Sequence, residues 1–157
     1  MNTLLLTDFY KTEHHKMYPE GTTMIYSNFT PRKSRIDGIN EVVVFGLQYL
    51  IKEFLLHRFN KDFFSAPLED VISEYTRHVN VETTHIEALH KLGYLPIEIK
   101  ALPEGSCCPI GVPMFTIKNT HPDFYWITNY LETLISCAVW QPSTSATIAH
   151  NYRKLLD

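Results

Sequence analysis

The spacing of hydrophobic residues changes near Gly93, and this change constrains the fold more than any other feature of the sequence. Before Gly93, apolar residues recur at intervals of three and four, which is the period of helices with one buried face. From Ile97 to Ala101, apolar residues alternate with Glu98 and Lys100, which is typical of a half-buried strand. Separate helical and strand patterns in one chain favour an α+β fold.

These patterns predict five helices and three strands. Helices are predicted at 44–55, 65–79 and 81–92, then from Thr120 to a break at Trp140-Gln141-Pro142, and finally at 143–157. Strands are predicted at 22–29, 97–101 and 112–118, the last two forming an antiparallel pair. Two helix starts are also predicted, with Asn40 as the cap of the first helix and Thr120 with Asp123 as a capping box. We therefore expect a single α+β domain over 1–157, in which several helices pack on a small mixed or antiparallel sheet.

Composition and charge are those of a soluble globular protein. Of the 157 residues, 45% are hydrophobic and 20% are charged, and the net charge is -3. This negative charge does not favour a nucleic-acid or membrane surface, which needs a clustered basic excess. The sequence also has no apolar run approaching the roughly 20 residues of a membrane span, and its start lacks the features of a signal peptide. We expect no nucleic-acid and no membrane partner.

The cysteines and histidines give no sign of a disulfide framework or a metal site. The sequence has three cysteines, Cys107, Cys108 and Cys137. An odd number with two adjacent is a poor basis for disulfides, which indicates a reducing compartment such as the cytoplasm. We interpret the adjacent pair as small buried side chains. The eight histidines include no HExxH motif and no Cys/His cluster at zinc spacing. The sequence therefore predicts no metal ion ligated by the protein.

The N-terminal stretch from Leu4 to Pro19 combines anchoring and polar groups. Three leucines run into Asp8, and an aromatic pair ending at Tyr10 follows at once. Apolar anchoring next to a few placed polar groups is the general form of a small-molecule site. The alternative interpretation is a tied-down N-terminus in which Thr7 or Asp8 caps a short helix.

The densest basic cluster, Arg32, Lys33 and Arg35, lies in a loop directly after the first predicted strand. Loops in this position commonly carry ligand-binding groups, and the planar guanidinium of arginine suits phosphate. A solvated surface loop is the alternative. The sequence contains no GxxxxGK[ST], GxGxxG or GxSxG motif, so the usual nucleotide folds and a nucleophile elbow are not expected.

Four stretches occur in an order and spacing that resemble a known family. They are TDFYKTEHHKMYP (7–19), VVFGLQYLIKEFL (43–55), LPIEIKALPEG (95–105) and FTIKNTHPDFYWITNYLETLI (115–135). Together they resemble the amino-terminal part of nicotinamide phosphoribosyltransferases, which are type II phosphoribosyltransferases. The resemblance implies an amino-terminal α+β domain without the α/β barrel that follows it in the family.

The resemblance also implies an activity, cofactors and partners. The family transfers a phosphoribosyl group from 5-phosphoribosyl-1-pyrophosphate to nicotinamide, giving nicotinamide mononucleotide and pyrophosphate in NAD salvage. It uses Mg²⁺ with the pyrophosphate and ATP as a coupling substrate. Its members are homodimers in which the amino-terminal segment of one subunit reaches the site of the other. We therefore expect a homo-oligomer, or association with a chain that carries the barrel.

Three residues match substrate-binding positions of the family. Tyr10 matches the tyrosine that stacks on the pyridine ring from across the interface, Asp8 an aspartate on the nicotinamide side, and Arg32 an arginine that contacts phosphates. An ionised Asp8 would repel the carboxylate of nicotinate, which favours the amide. No catalytic residue is expected in this chain, because the family's catalytic groups lie in the barrel.

The last predicted helix reaches Asp157 without a glycine, proline or polar tail to end it. From this pattern we expect a truncated or separately encoded piece of a longer enzyme, inactive when alone. The alternative is a non-enzymatic dimerisation or interaction module derived from the same family.

Overall fold

The computed structural model describes residues 2–157, whose strands form two small antiparallel sheets. The larger sheet has the order β1–β5–β3, with β1 at Tyr26–Phe29, β3 at Ile97–Ala101 and β5 at Phe115–Asn119. The smaller sheet pairs β2, Glu41–Val43, with β4, Cys107–Pro109. The α+β class and the small antiparallel sheet are confirmed, whereas the sequence patterns did not predict the smaller sheet.

The central strand β5 determines which face of the larger sheet is buried. Phe115, Ile117 and Asn119 are buried, and the residues between them are only half-buried. Phe29 of β1 stacks on Phe115 with ring centroids 4.9 Å apart, and Ile99 of β3 pairs with Ile117. The predicted antiparallel pairing of β3 with β5 is confirmed. The first strand is shorter than predicted.

The helices surround the sheets and supply most of the core. They are α1 (Leu47–Tyr49), which continues directly into a π-helix (Leu50–Phe64), α2 (Leu68–His78), α3 (Thr84–Leu92), α4 (Ile127–Tyr130), α5 (Glu132–Leu156) and the 3₁₀ helices Thr3–Leu5, Phe9–Lys16 and Pro122–Phe124. Gly93 ends α3 with a φ of 81°, as predicted from its position. No helix within residues 2–157 is both long and apolar enough to cross a bilayer.

The predicted helix break at Trp140-Gln141-Pro142 is wrong, because α5 continues through Pro142. A proline inside a helix removes one backbone hydrogen bond. Here the segment Phe45–Gly46 packs on that turn, and the Ser143 hydroxyl donates to the Phe45 carbonyl at 2.8 Å and accepts from its N–H at 3.2 Å. A Cβ on Gly46 would lie only 2.9 Å from Pro142 Cβ. Docking of this segment therefore supports the helix at the proline.

Two predicted helix starts and one predicted burial are also corrected. The segment after Asn40 forms β2, and the first helix begins only at Leu47. The capping box at Thr120 is wrong, because the His121 side chain accepts the Asp123 N–H at 3.3 Å instead. Cys108 is buried as expected, but Cys107 is exposed.

The N-terminal segment is anchored in the core by two buried tyrosines. The Tyr130 hydroxyl donates to the Leu4 carbonyl at 2.8 Å and lies 3.2 Å from the Tyr75 hydroxyl. Burial raises the pKa of both phenols above the ordinary value. Leu4 itself is 1% exposed, so the triplet of leucines does anchor the chain as the sequence indicated.

Candidate functional site

An open cleft of about 410 Å³ is lined by residues of β1, β5, α4 and α5. Its apolar wall consists of aromatic and aliphatic side chains of the sheet and of α5, namely Phe29, Phe115, Ile117 and Ile135. Its polar wall carries hydroxyl and amide groups, namely Ser27, Asn28, Thr30, Thr128, Asn129 and Ser136. Apolar walls with a few convergent polar groups are typical of small-ligand sites.

Arg32 gives this cleft its positive charge. It follows β1 in the loop predicted from the sequence, and its guanidinium is the only cationic group among the described residues that line the cleft. Lys33 and Arg35 line a different cavity, beside Trp140 and Ile148 of α5. The structure therefore divides the basic cluster, and only Arg32 faces the cleft.

Thr128 and Asn129 bring polar groups to the base of the cleft. Both polar atoms of the Asn129 side chain are hydrogen-bonded, since its Oδ1 accepts from the Ser27 hydroxyl at 2.8 Å and its Nδ2 donates to the Tyr18 hydroxyl at 2.7 Å. The Thr128 Oγ1 is buried and has no hydrogen-bond partner within residues 2–157. A buried hydroxyl is normally bonded, so Thr128 has an unused donor at the wall of the cleft.

Sequence reasoning did not select Thr128, Asn129 or Ser27. The available signal was a pair of polar residues between Ile127 and Leu131, inside the apolar stripe of a predicted helix. A polar residue on a core-facing stripe indicates either a buried hydrogen-bond network or a binding group. Here Asn129 belongs to a hydrogen-bond network, whereas the Thr128 hydroxyl has no partner among the described residues.

Lys11 connects the N-terminal helix Phe9–Lys16 to the cleft. Its side chain is 1% exposed, and its ammonium donates to the Asn129 carbonyl at 3.3 Å and pairs with Glu132. Glu132 lines the cleft and is 65% exposed, so one end of this ion pair is buried and the other faces solvent. The pair fixes the helix that carries Tyr10.

We expect Glu132→Gln to destabilise the chain by about 1–3 kcal/mol, because the buried Lys11 ammonium loses its carboxylate. Urea denaturation measures this change. Glu13→Gln is the matched control, since Glu13 pairs with the exposed Lys16 and should leave stability nearly unchanged. Equal losses in both variants would show that burial of Lys11 has no energetic consequence.

Asp8 and Tyr10 lie outside the cleft that Arg32 lines. The Asp8 carboxylate accepts from the Thr133 hydroxyl at 2.8 Å, and the same hydroxyl accepts the Asp8 N–H at 3.2 Å. Asp8 occupies the N-cap position of the short helix Phe9–Lys16, as the capping interpretation predicted, but its carboxylate makes no capping hydrogen bond. Tyr10 is 57% exposed and contacts the ring of His14 edge-on, with centroids 5.0 Å apart. Its phenol ring is therefore presented to solvent and not to the core of its own chain.

The lining residues of the cleft do not form a magnesium site by themselves. Mg²⁺ in proteins is held by one or two carboxylates together with substrate phosphates. Glu132 is the only carboxylate among the described residues of the lining, and Lys11 already neutralises it. The side chains that line the cleft therefore do not fit a Mg²⁺ ion ligated by the protein.

Comparisons with known proteins cover the whole chain. The family model for the nicotinamide phosphoribosyltransferase N-terminal domain matches residues 2–99. A nicotinamide phosphoribosyltransferase of Acinetobacter baylyi is 47% identical over 168 residues, covering 99% of this chain and 33% of that protein. One of Xanthomonas campestris pv. campestris is 33% identical over 158 residues, covering 99% of this chain and 32% of the relative. The chain thus spans about a third of the length of these curated relatives.

A solved structure shows the same fold. The crystal structure of human nicotinic acid phosphoribosyltransferase matches with a TM-score of 0.67 at 23% identity, covering 92% of this chain and 27% of that one. At this level of identity the likeness concerns the fold alone. The range matched by the family model includes Asp8, Tyr10 and Arg32 and the first two of the four stretches, and the curated relatives cover the other two as well. The chain belongs to the family of the nicotinamide phosphoribosyltransferase N-terminal domain.

Proposed function

We propose that this chain is the amino-terminal part of an enzyme that transfers phosphoribosyl from 5-phosphoribosyl-1-pyrophosphate to nicotinamide. The products are nicotinamide mononucleotide and pyrophosphate. The observation that carries the proposal is the cleft that Arg32 lines together with several hydroxyl groups, one of them that of Thr128, which has no hydrogen-bond partner among the described residues. A guanidinium with nearby hydroxyl donors suits the phosphate oxygens of the ribosyl donor.

In this proposal Arg32 binds phosphate oxygens and Thr128 donates to one of them. The bond from the ribosyl carbon to pyrophosphate breaks as the bond to the pyridine nitrogen forms. Negative charge then develops on the leaving pyrophosphate, and a fixed guanidinium stabilises it. The chain contributes binding groups to this reaction, and the bond-breaking residues are supplied by the longer part of the family's architecture.

Tyr10 and Asp8 serve a neighbouring site. A flat pyridine ring gains from a parallel aromatic wall, and Tyr10 is exposed enough to provide one to another subunit. Asp8, held by Thr133, accepts from the amide of nicotinamide and repels the carboxylate of nicotinate. A homodimer, or association with a chain that carries the barrel, completes the site. Mg²⁺ accompanies the pyrophosphate, and ATP acts as a coupling substrate.

Co-expression with the remaining two thirds of the Acinetobacter baylyi relative tests this function. We expect nicotinamide mononucleotide to form only when both chains are present. In the reconstituted enzyme, Tyr10→Ala should raise KM for nicotinamide about tenfold, from stacking worth about 0.5–1.5 kcal/mol plus lost burial. The matched control is Tyr152→Ala, which removes a similarly exposed tyrosine of α5.

An unchanged KM in Tyr10→Ala would contradict the stacking role. The alternative, a non-enzymatic interaction module, predicts a different result in the same assay. Such a module adds no product of its own and lowers the activity of a full-length relative by forming mixed dimers.

A further inference from the structure

One face of α5 carries a row of polar residues that meets the smaller sheet. Ser143, Thr147, His150 and Lys154 follow at intervals of three and four, so they lie on one side of the helix. Ser143 bonds Phe45, and the Thr147 hydroxyl accepts from the backbone of β2 at 2.9 Å. The next two residues of the row therefore reach the outer face of the β2–β4 pair.

That outer face presents a carboxylate and a thiol to the helix. In the β2–β4 register Glu41 lies opposite Pro109 and Val43 opposite Cys107, so Glu41 and Cys107 are diagonal neighbours on one face. Cys108 points to the other face and is buried. The same alternation that buries Cys108 therefore exposes Cys107 beside Glu41.

Glu41, Cys107 and His150 converge at this junction. One ligand atom of each side chain lies within 4.8 Å of the other two, and Cys107 Sγ is 3.8 Å from His150 Nε2. In a tetrahedral zinc site, bonds of about 2.3 Å to sulfur and 2.0–2.1 Å to nitrogen separate the two atoms by about 3.5–3.6 Å. The thiol and imidazole are slightly farther apart than this, so a small side-chain adjustment brings them to the separation that zinc requires.

We propose that Glu41, Cys107 and His150 bind one Zn²⁺ ion, with water as the fourth ligand. Thiolate, imidazole and carboxylate are all zinc ligands, and three protein ligands with a water form a known type of zinc site. On binding, the Cys107 thiol releases its proton to solvent, and His150 coordinates as the neutral imidazole. The two negative ligands balance the charge of the ion.

Lys154 competes with the metal for Glu41. Its ammonium lies 3.0 Å from Glu41 Oε1, and both side chains are substantially exposed, so this pair contributes little and can be displaced. A glutamate carboxylate is ionised at neutral pH, so Glu41 can ligate the ion once Lys154 is displaced.

The site is independent of the proposed transfer reaction, because none of its three residues lines the Arg32 cleft. It joins β2, β4 and the second half of α5, and the Thr147 hydroxyl and the Lys154–Glu41 ion pair also connect α5 to β2. No spacing motif could reveal it, since Cys107 and His150 are 43 positions apart. Sequence patterns predicted no protein-ligated metal, and the proposed ligands come together only in the folded chain.

Titration of the metal-free 157-residue chain with Zn²⁺, monitored by calorimetry, tests the site. We expect one ion per chain and a rise in the melting temperature. With Co²⁺ as the probe, a thiolate-to-metal charge-transfer band should appear in the near ultraviolet. Cys107→Ser should remove this band, and His150→Ala and Glu41→Gln should each weaken Zn²⁺ binding at least about tenfold.

Cys137→Ser and His57→Ala are matched controls, because they change an exposed cysteine and an exposed histidine elsewhere on the surface. Both should bind Zn²⁺ as the parent chain does, and circular dichroism should show every variant folded. The proposal is overturned if Cys137→Ser removes the Co²⁺ band, or if the three ligand variants bind like the parent. It is also overturned if size-exclusion chromatography shows the ion bridging two chains.

Discussion

Gly46→Ala is expected to destabilise this chain by about 2–5 kcal/mol. Gly46 has a φ of 96°, and an alanine held in the left-handed region costs about 1–2 kcal/mol. The added Cβ would also lie 2.9 Å from Pro142 Cβ and 3.1 Å from the Ala138 carbonyl oxygen. Relieving this overpacking costs about 1–3 kcal/mol more, because both neighbours belong to the rigid turn of α5. Chemical denaturation of the purified chain measures the sum.

Gly38→Ala separates the two contributions to this loss. Gly38 also has a positive φ, 80°, but a Cβ there would meet no atom of residues 2–157 within 4 Å. We expect Gly38→Ala to cost only the backbone share, about 1–2 kcal/mol. If the two variants lose equal stability, the close approach of Gly46 to α5 has no energetic importance.

The second large effect is a loss of stability in mild acid. His85 of α3 stacks on His15 with ring centroids 3.8 Å apart and meets Trp126 edge-on at 4.8 Å. Neither ring nitrogen of His85 has a hydrogen-bond partner in the part of the chain that the structure describes. Burial, with smaller contributions from His15 and Lys16, lowers the pKa of His85 to about 3. Burial and then Lys16 lower the pKa of His15 as well.

The direction of the pH effect follows from these lowered pKa values. Below the ordinary histidine pKa of 6.5, the unfolded chain takes up protons that the folded chain excludes. Stability is therefore complete above pH 6.5 and falls as the pH drops toward the folded pKa of about 3. For His85 the slope approaches about 1.4 kcal/mol per pH unit, so about 2 kcal/mol is lost by pH 5. His15 adds to the loss in the same direction.

Urea denaturation between pH 6.5 and 5 measures this slope. The window lies above the range in which Glu41, Glu53 and Glu98 would contribute, since their pKa values are lowered from 4.5. We expect His85→Phe to flatten the profile while keeping an aromatic ring in the stack. His57→Phe, at an exposed position, should keep the parent slope. If His85→Phe keeps the parent dependence of stability on pH, the loss of stability in acid arises from groups other than His85.

Hydrophobic periodicity predicted the elements whose burial follows one simple period. The strands β3 and β5, the helices α2 and α3, and the end of α3 at Gly93 are of this kind. The first helix was predicted over 44–55 from an α-helical repeat, but the structure continues it to Phe64 as a π-helix. Its buried residues Leu50, Leu55, Phe59 and Phe63 are five and then four positions apart, which fits a π-helix, whose bonds join residues five apart.

Features that depend on contacts between distant segments could not be predicted from the sequence. Pro142 indicates a helix break when only its own helix is considered, and the docking of Gly46 that accompanies it is remote in sequence. The short β2–β4 pair has too few residues for an alternating pattern. Arg32 could be selected from its residue type and its loop, but its separation from Lys33 and Arg35 depends on the folded path of that loop.

The exposure of Tyr10 outside the cleft of Arg32 has a consequence for any assembly built from this fold. Under the proposed function, each active site of a dimer takes Tyr10 from one subunit and Arg32 from the other. One subunit that lacks both residues therefore impairs both active sites, each of which loses one binding residue, instead of abolishing a single site.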